Sequence, residues 1–353
     1  MNAENGYFVV SLDFELMWGV RDKASRKSYE KNVRGVQQVI PHLLSRFREY
    51  GLHATFATVG MLFFRNKKEM LGALPAVLPD YSNPGFSPYG DYLDQEVGDD
   101  WLEDPLHFAP HLVNMIRDEG CHEIATHTFS HYYCLEPGQN AAAFKADLQA
   151  AIAQARPRGI EINSIIFPRN QLNRKYLRIC RSLGILAVRS NEQSWLYSPR
   201  NGSQESKLRR CLRFIDGYIN LSGHHCYPAP TRAKSIPVQI PSSRFLRPYN
   251  PKLDWLEGLR LNRIKRSMTH AAKNNLVYHL WWHPHNFGVH QEQNFAFLES
   301  ILQHYEALNM RYGFSSITMS ELAGKALPQY GRQKNHITRL RRQFHEDYLQ
   351  PSL

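Results

Sequence analysis

The chain opens on Tyr7 to Phe14 (YFVVSLDF), an apolar run that turns acidic at its end and predicts a strand. A loop over 16–29 follows, and then Val33, Val36, Val39, Ile40, Leu43, Leu44 and Phe47 recur at helical spacing. Pro41 interrupts that stripe, predicting either a helix start or a kink, and Gly51 ends it. Strands are expected over 52–59, 122–126, 162–167, 185–188, 275–282 and 314–319. Helices are expected over 105–118, 141–155, 173–183, 254–272 and 291–308. Residues 75–101 are irregular. Residues 190–251 carry Pro228, Pro230, Pro237, Pro241 and Pro248 with few periodic segments. About seven strands alternating with helices imply a parallel sheet closed, or nearly closed, into a (β/α) barrel. We therefore expect one barrel over 1–327, with an irregular insertion around 190–251, and a basic helical tail over 328–353.

Composition narrows the class. The 353 residues are 42% hydrophobic and 21% charged, ordinary for a globular chain, and no run reaches the ~18 apolar residues of a membrane span. MNAENGYFVVSLDFE enters a strand almost at once, without the basic start and cleavage site of an export signal, so a cytoplasmic location is expected. Cys121, Cys134, Cys180, Cys211 and Cys226 are odd in number and lack a CxxC pair, which argues for reduced thiols. Net charge is +11, partly from KLRRCLR at 207–213 and RQKNHITRLRR at 332–342. Neither run is interleaved with aromatic platforms, so nucleic acid is not the expected partner. A solvated basic face, or attraction to an anionic glycan or membrane surface, fits better.

The chemistry gathers at strand ends, where a parallel barrel carries its functional groups. The first strand ends Asp13-Phe14-Glu15, with two carboxylates on one face. Cys121 to Cys134 reads CHEIATHTFSHYYC and places His127 and His131 four residues apart just past the third strand. The fourth ends Phe167-Pro168-Arg169-Asn170, and the late strand ends Trp282-His283-Pro284-His285. A carboxylate, two imidazoles and an open position make a zinc-type shell, leaving a second carboxylate, an arginine and a histidine for proton transfer.

These residues resemble the polysaccharide deacetylases, the NodB-like metal-dependent carbohydrate N-deacetylases. GCHEIATHTFSH at 120–131 looks like that family's metal-binding segment G-H-E-I-(G/A)-x-H-(S/T)-x-x-H. HATFATVG at 53–60 is similar to its A-T-F-F-x-x-G strand, and GFSSITMSELA at 313–323 to its usual ending. The matches fall in the family's order over roughly 7–323, with the middle third poorly matched. The resemblance implies a distorted (β/α)7 barrel that removes an N-acyl group, usually acetyl, from an amino sugar.

It also implies roles. His127 and His131 look like the metal-binding histidines. The usual T-F-D-D-G motif reads Ser11-Leu12-Asp13-Phe14-Glu15 here, so Asp13 takes the place of the base and Glu15 that of the third ligand. Arg169 stands nearest the family's R-x-P-Y arginine, which pairs with the base. His283 resembles the late-strand general acid, with His279 and His285 as competitors. Trp18, Trp281 and Trp282 are candidates for stacking on a sugar. The implied cofactor is a divalent ion, zinc first, with cobalt or nickel as alternatives. The implied substrate is an amino-sugar glycan in surface polysaccharide or precursor assembly, nucleotide- or lipid-linked. The rival reading is a catalytically inactive, glycan-binding or scaffold member of the same fold.

Overall fold

In the computed structural model, which describes residues 5–23, 25–199, 206–232 and 236–327, strand β1 (Tyr7–Phe14) is buried along its whole length. Burial of successive residues requires cover on both faces. Phe8, Val10, Leu12 and Phe14 join the apolar layer beneath the helices, whereas Tyr7 and Val9 join a second cluster enclosed by the sheet. Alternation carries Ser11 and Asp13 onto the same inward row.

Strands β2 (Ala54–Thr58), β3 (Glu123–Thr126), β4 (Ser164–Ile165) and β5 (Ala187–Ser190) follow β1 in parallel order. Then come β6 (Tyr227–Pro228), β7 (Val238–Pro241), β8 (Arg244–Phe245), β9 (Leu276–Trp282) and β10 (Ser315–Ser316). β9 pairs with the other edge of β1, β7 with β5, and β8 with β9, all in parallel. Between β7 and β8, Ser242 N donates to Ser190 O and Ser243 N to His279 O, each at 2.8 Å. Residues 238–245 thus form one bent strand that bridges the two edges and closes a seven-membered ring. The expected insertion around 190–251 is corrected in this respect: its end is barrel wall. Its prolines hid the strand, because proline cannot donate to a ladder and is confined to strand ends and edges.

The helix Arg26–Glu49 buries the predicted stripe from Val33 to Phe47 against β1 and runs on through Pro41. Seven buried side chains, worth roughly 1.5–3 kcal/mol each, outweigh the ~3 kcal/mol of an internal proline. At the floor of the barrel, Glu123 accepts from Thr55 Oγ1 at 2.9 Å, Ser164 Oγ at 2.5 Å and Ser320 N at 3.0 Å. It ties the closing helix Met319–Lys325 beneath the strands. That helix begins in a capping box on Thr318, which is why β10 is shorter than the predicted 314–319. Among the described residues no helix is long and apolar enough to cross a membrane. The expected basic tail, 328–353, lies outside the described residues.

Candidate active site

Glu15 lies one residue past β1, where the chain turns. Leu16 takes φ 47° and ψ −137°, a backbone state that costs a residue with a β-carbon roughly 1–3 kcal/mol. The turn lays the Glu15 carboxylate along Gly19. A β-carbon on Gly19 would fall 2.0 Å from Glu15 Cδ and 2.1 Å from Oε1.

His127 and His131 stand on the loop after β3. His127 N donates to Thr58 O at 2.9 Å, Gly60 N to Thr128 O at 2.9 Å and Met61 N to Phe129 O at 3.0 Å, so the ladder from β2 runs into the loop. From the helix Ala141–Ala155, buried Asp147 accepts from Phe129 N at 2.7 Å, Ser130 N at 3.2 Å and the Ser130 hydroxyl. Burial pushes its carboxyl up to about 6 despite these donors. Asp147→Ala would leave three buried donors unanswered and is expected to lower stability by about 3 kcal/mol, read from urea unfolding. With the loop fixed at both ends, His131 is held at φ 58°.

The two imidazoles meet Glu15. His127 Nδ1 is 2.9 Å from the Ile166 carbonyl. A carbonyl only accepts, so Nδ1 carries the proton and Nε2 offers a lone pair. That lone pair is 3.2 Å from Glu15 Oε2 and has no hydrogen-bond partner among the described residues, while His131 Nε2 is 3.0 Å from the same oxygen. Burial depresses His131 to about 3, keeping it neutral. Burial pushes the Glu15 carboxyl up, but His283 close by leads the influences that outweigh it and hold it well below its usual range. A carboxylate oxygen against a bare imidazole lone pair in a buried pocket calls for a positive charge between them. The ligand atoms of all three residues lie within 4.8 Å of one another. A tetrahedral ion with bonds of about 2.0–2.1 Å sets its ligand atoms roughly 3.3 Å apart, close to the spacings found here. The donor set therefore fits a divalent ion such as zinc, with three protein ligands and one position open.

Beside this cluster Asp13 is gripped by an arginine, but not by Arg169. Arg189, on β5, donates Nη1 to Asp13 Oδ1 and Nη2 to Oδ2, both at 2.7 Å, and also bonds Ser11 Oγ and Asn170 Oδ1. Burial pushes the Asp13 carboxyl up; Arg189 leads the influences that outweigh it and hold the group below its ordinary value. Arg169 instead forms an ion pair with Asp22, lies 3.8 Å from Glu136 and sits over the Tyr133 ring at 3.9 Å. Its backbone takes a positive φ of 57°.

His283 Nε2 is 3.5 Å from Glu15 Oε1 and 3.8 Å from Asp13 Oδ2, and the side chain is 22% exposed. Its competitors are enclosed. His279 is paired through Nε2 with Ser11 Oγ at 2.8 Å, and burial depresses it to about 3. His285 stacks behind His283 at 4.9 Å and is likewise depressed to about 3 by burial. Of the three tryptophans, only Trp281 faces the site, beneath Arg189 at 4.2 Å and 5.7 Å from His283. Trp282, one residue on, points by alternation into the helical layer and stacks on Phe287. Trp18 is fully buried and donates its indole N–H to His107 O at 2.8 Å. Neither can meet a sugar, which corrects both expectations.

The seven-stranded barrel matches the (β/α)7 fold of the carbohydrate deacetylases. Residues 33–188 match the family model described as polysaccharide deacetylase. His127 and His131 fall inside the match; Asp13, Glu15, Arg189 and His283 lie outside it. A solved structure from Mycobacterium smegmatis, described as a candidate polysaccharide deacetylase, shares the fold with a TM-score of 0.59 at 13% identity, over 93% of this chain and 92% of that one. Lower on the scale are a family 4 carbohydrate-esterase pseudoenzyme from Bacillus anthracis (TM-score 0.43, 10% identity, 92% and 67% covered) and a family 4 carbohydrate esterase from Streptomyces lividans in complex with acetate (0.39, 12%, 89% and 93%). A search among curated proteins finds no significant match.

Proposed function

We propose that this protein is a metal-dependent hydrolase that removes an N-acyl group, acetyl first, from an amino sugar in surface polysaccharide or precursor assembly. The observation that carries the reading is the contact of Glu15 with the proton-free Nε2 of His127, beside an aspartate kept ionised by Arg189. Glu15, His127 and His131 would hold the ion, zinc or alternatively cobalt or nickel. A divalent ion bound there lowers the pKa of water and polarises an acyl carbonyl.

The chain's own residues supply the rest. Ionised Asp13 accepts the proton of the water that adds to the acyl carbon. His283, through Nε2, donates a proton to the amine as the C–N bond breaks, giving acetate and a free amino sugar. Trp281 offers the sugar an apolar face. Arg169, paired with Asp22 on the rim, takes no part in proton transfer.

The test is metal analysis together with acetate release from N-acetylated sugars and their nucleotide- and lipid-linked forms. We expect about one ion per chain, loss of activity on chelation and recovery with zinc. A protein that cannot be loaded with metal, or that binds glycan without releasing acetate, would instead be an inactive binding member of the fold.

A further inference from the structure

A cleft of about 270 Å³ runs from Asn170 and Trp281 out to Arg213, Arg244 and Arg247. It is continuous with the site, since Asn170 accepts from Arg189 and Trp281 lies beneath it. Among the described residues that line it, four are arginines and Glu192 is the one carboxylic acid. Burial pushes Glu192 up, so it compensates the arginines poorly.

Arg169 is held by Asp22, and Arg244 by Asp216 at 3.3 Å. Asp216 also lies 3.7 Å from Arg263, so one carboxylate serves two guanidiniums. Arg247 has no carboxylate partner among the described residues. It donates to the Arg213 carbonyl at 3.5 Å and lies over the Phe214 ring at 5.4 Å. Burial, with Arg244 and Arg260 close by, pulls its pKa below the ordinary guanidinium value. A half-buried guanidinium among other guanidiniums is a place where an anion is missing. Phe245 and Trp281 line the same cleft as Arg247, 4.7 Å apart and each 5.7 Å from the His283 ring. An aromatic wall followed by arginines suits a sugar ring followed by a charged group.

We propose that this cleft binds an anionic group, phosphate or carboxylate, carried by the substrate next to the sugar whose amide is cleaved, with Arg247 as its principal partner. The proposal rests on the deacetylase reading and names the class of substrate that site takes. A phosphate would come from a nucleotide- or lipid-linked sugar, a carboxylate from an acidic glycan.

The experiment is calorimetric titration of the full chain, metal-loaded and metal-stripped because phosphate can itself ligate an ion. The probes are N-acetylglucosamine, its 1-phosphate, inorganic phosphate and glucuronate. The anionic probe that matches the natural group should bind about 10–100-fold more tightly than the neutral sugar in both forms, as a charge-assisted pair provides. Arg247→Gln should erase that preference while leaving neutral-sugar binding and metal content unchanged, and Arg247→Lys should restore part of it. A preference for phosphate over glucuronate, or the reverse, identifies the source. Equal binding of neutral and anionic sugars, or a preference that survives Arg247→Gln, overturns the proposal. Arg247-dependent anion binding without any acetate release would overturn the deacetylase reading and leave the cleft's ligand standing.

Discussion

Replacing Arg189 with methionine should lower kcat/KM for deacetylation by about 10²–10⁴-fold near neutral pH, the range a positioned general base contributes, and should move the acid limb of the pH profile upward. The cause is the balance at Asp13. Burial there opposes ionisation, and the paired guanidinium of Arg189 is the largest of the influences that overcome it. Without the guanidinium the desolvation remains, so the carboxyl rises above its ordinary value and takes up a proton at pH values where the wild type is ionised. The stability consequence reverses with the shift. In the wild type the depressed Asp13 stabilises the fold above its unfolded pKa, and that contribution is lost as pH falls through the depressed value. In Arg189→Met the raised group stabilises only at low pH, and stability declines as pH rises through it. The deficit against wild type, about 3–5 kcal/mol for a buried charge left without its partner, should be larger at pH 8 than at pH 5. Arg189→Lys, which keeps the charge but loses the two-pronged contact, should fall between the two. Arg169→Ala should leave the acid limb where it is, because Arg169 answers Asp22 and Glu136. Rate profiles and urea unfolding across pH read both effects, and an unmoved acid limb in the Arg189 variants would sink the assignment.

That contrast shows how far the site was legible. Strand periodicity fixed the ends of β1, β3 and β9 closely enough to bring Asp13, Glu15, the two histidines and His283 to one rim. It failed at β5, expected to end at Val188, whereas the strand runs through Arg189 to Ser190. Arginine at a strand end reads as the start of a loop. Only the inward row shared with buried Ala187 reveals that its side chain enters the barrel. Trp281 and Trp282 make a similar case, since neighbours in a strand cannot both face the axis, and alternation from His283 selects Trp281. Asp147 gave no signal, because a carboxylate inside an alanine-rich helix reads as a solvated position until its distant backbone donors are known. The closing strand at 238–245 was hidden for the same reason: its identity rests on pairing with β5 and β9, far away in the chain.

The second large effect is expected at a residue that would bind nothing itself. Gly19→Ala should weaken zinc binding by at least the roughly 10–100-fold typical of lost support around a metal ligand. The added β-carbon would need the space now filled by Glu15 Cδ and Oε1. Contacts near 2 Å cannot be relieved by small shifts, and a carboxylate at the end of three rotatable bonds moves more cheaply than the backbone of the turn. The Leu16 conformation, already in the positive-φ region, leaves the turn little freedom to follow. His127 and His131 stand on a different loop, fixed by β2 and Asp147, and should keep their positions. The variant should therefore retain a two-histidine site of low affinity, behaving in metal titrations like Glu15→Ala rather than like unfolded protein. Equilibrium dialysis against zinc, with far-ultraviolet circular dichroism as the folding control, separates these outcomes. Wild-type affinity in Gly19→Ala would mean that Glu15 is not the third ligand and that the ion is held by the two histidines with another group.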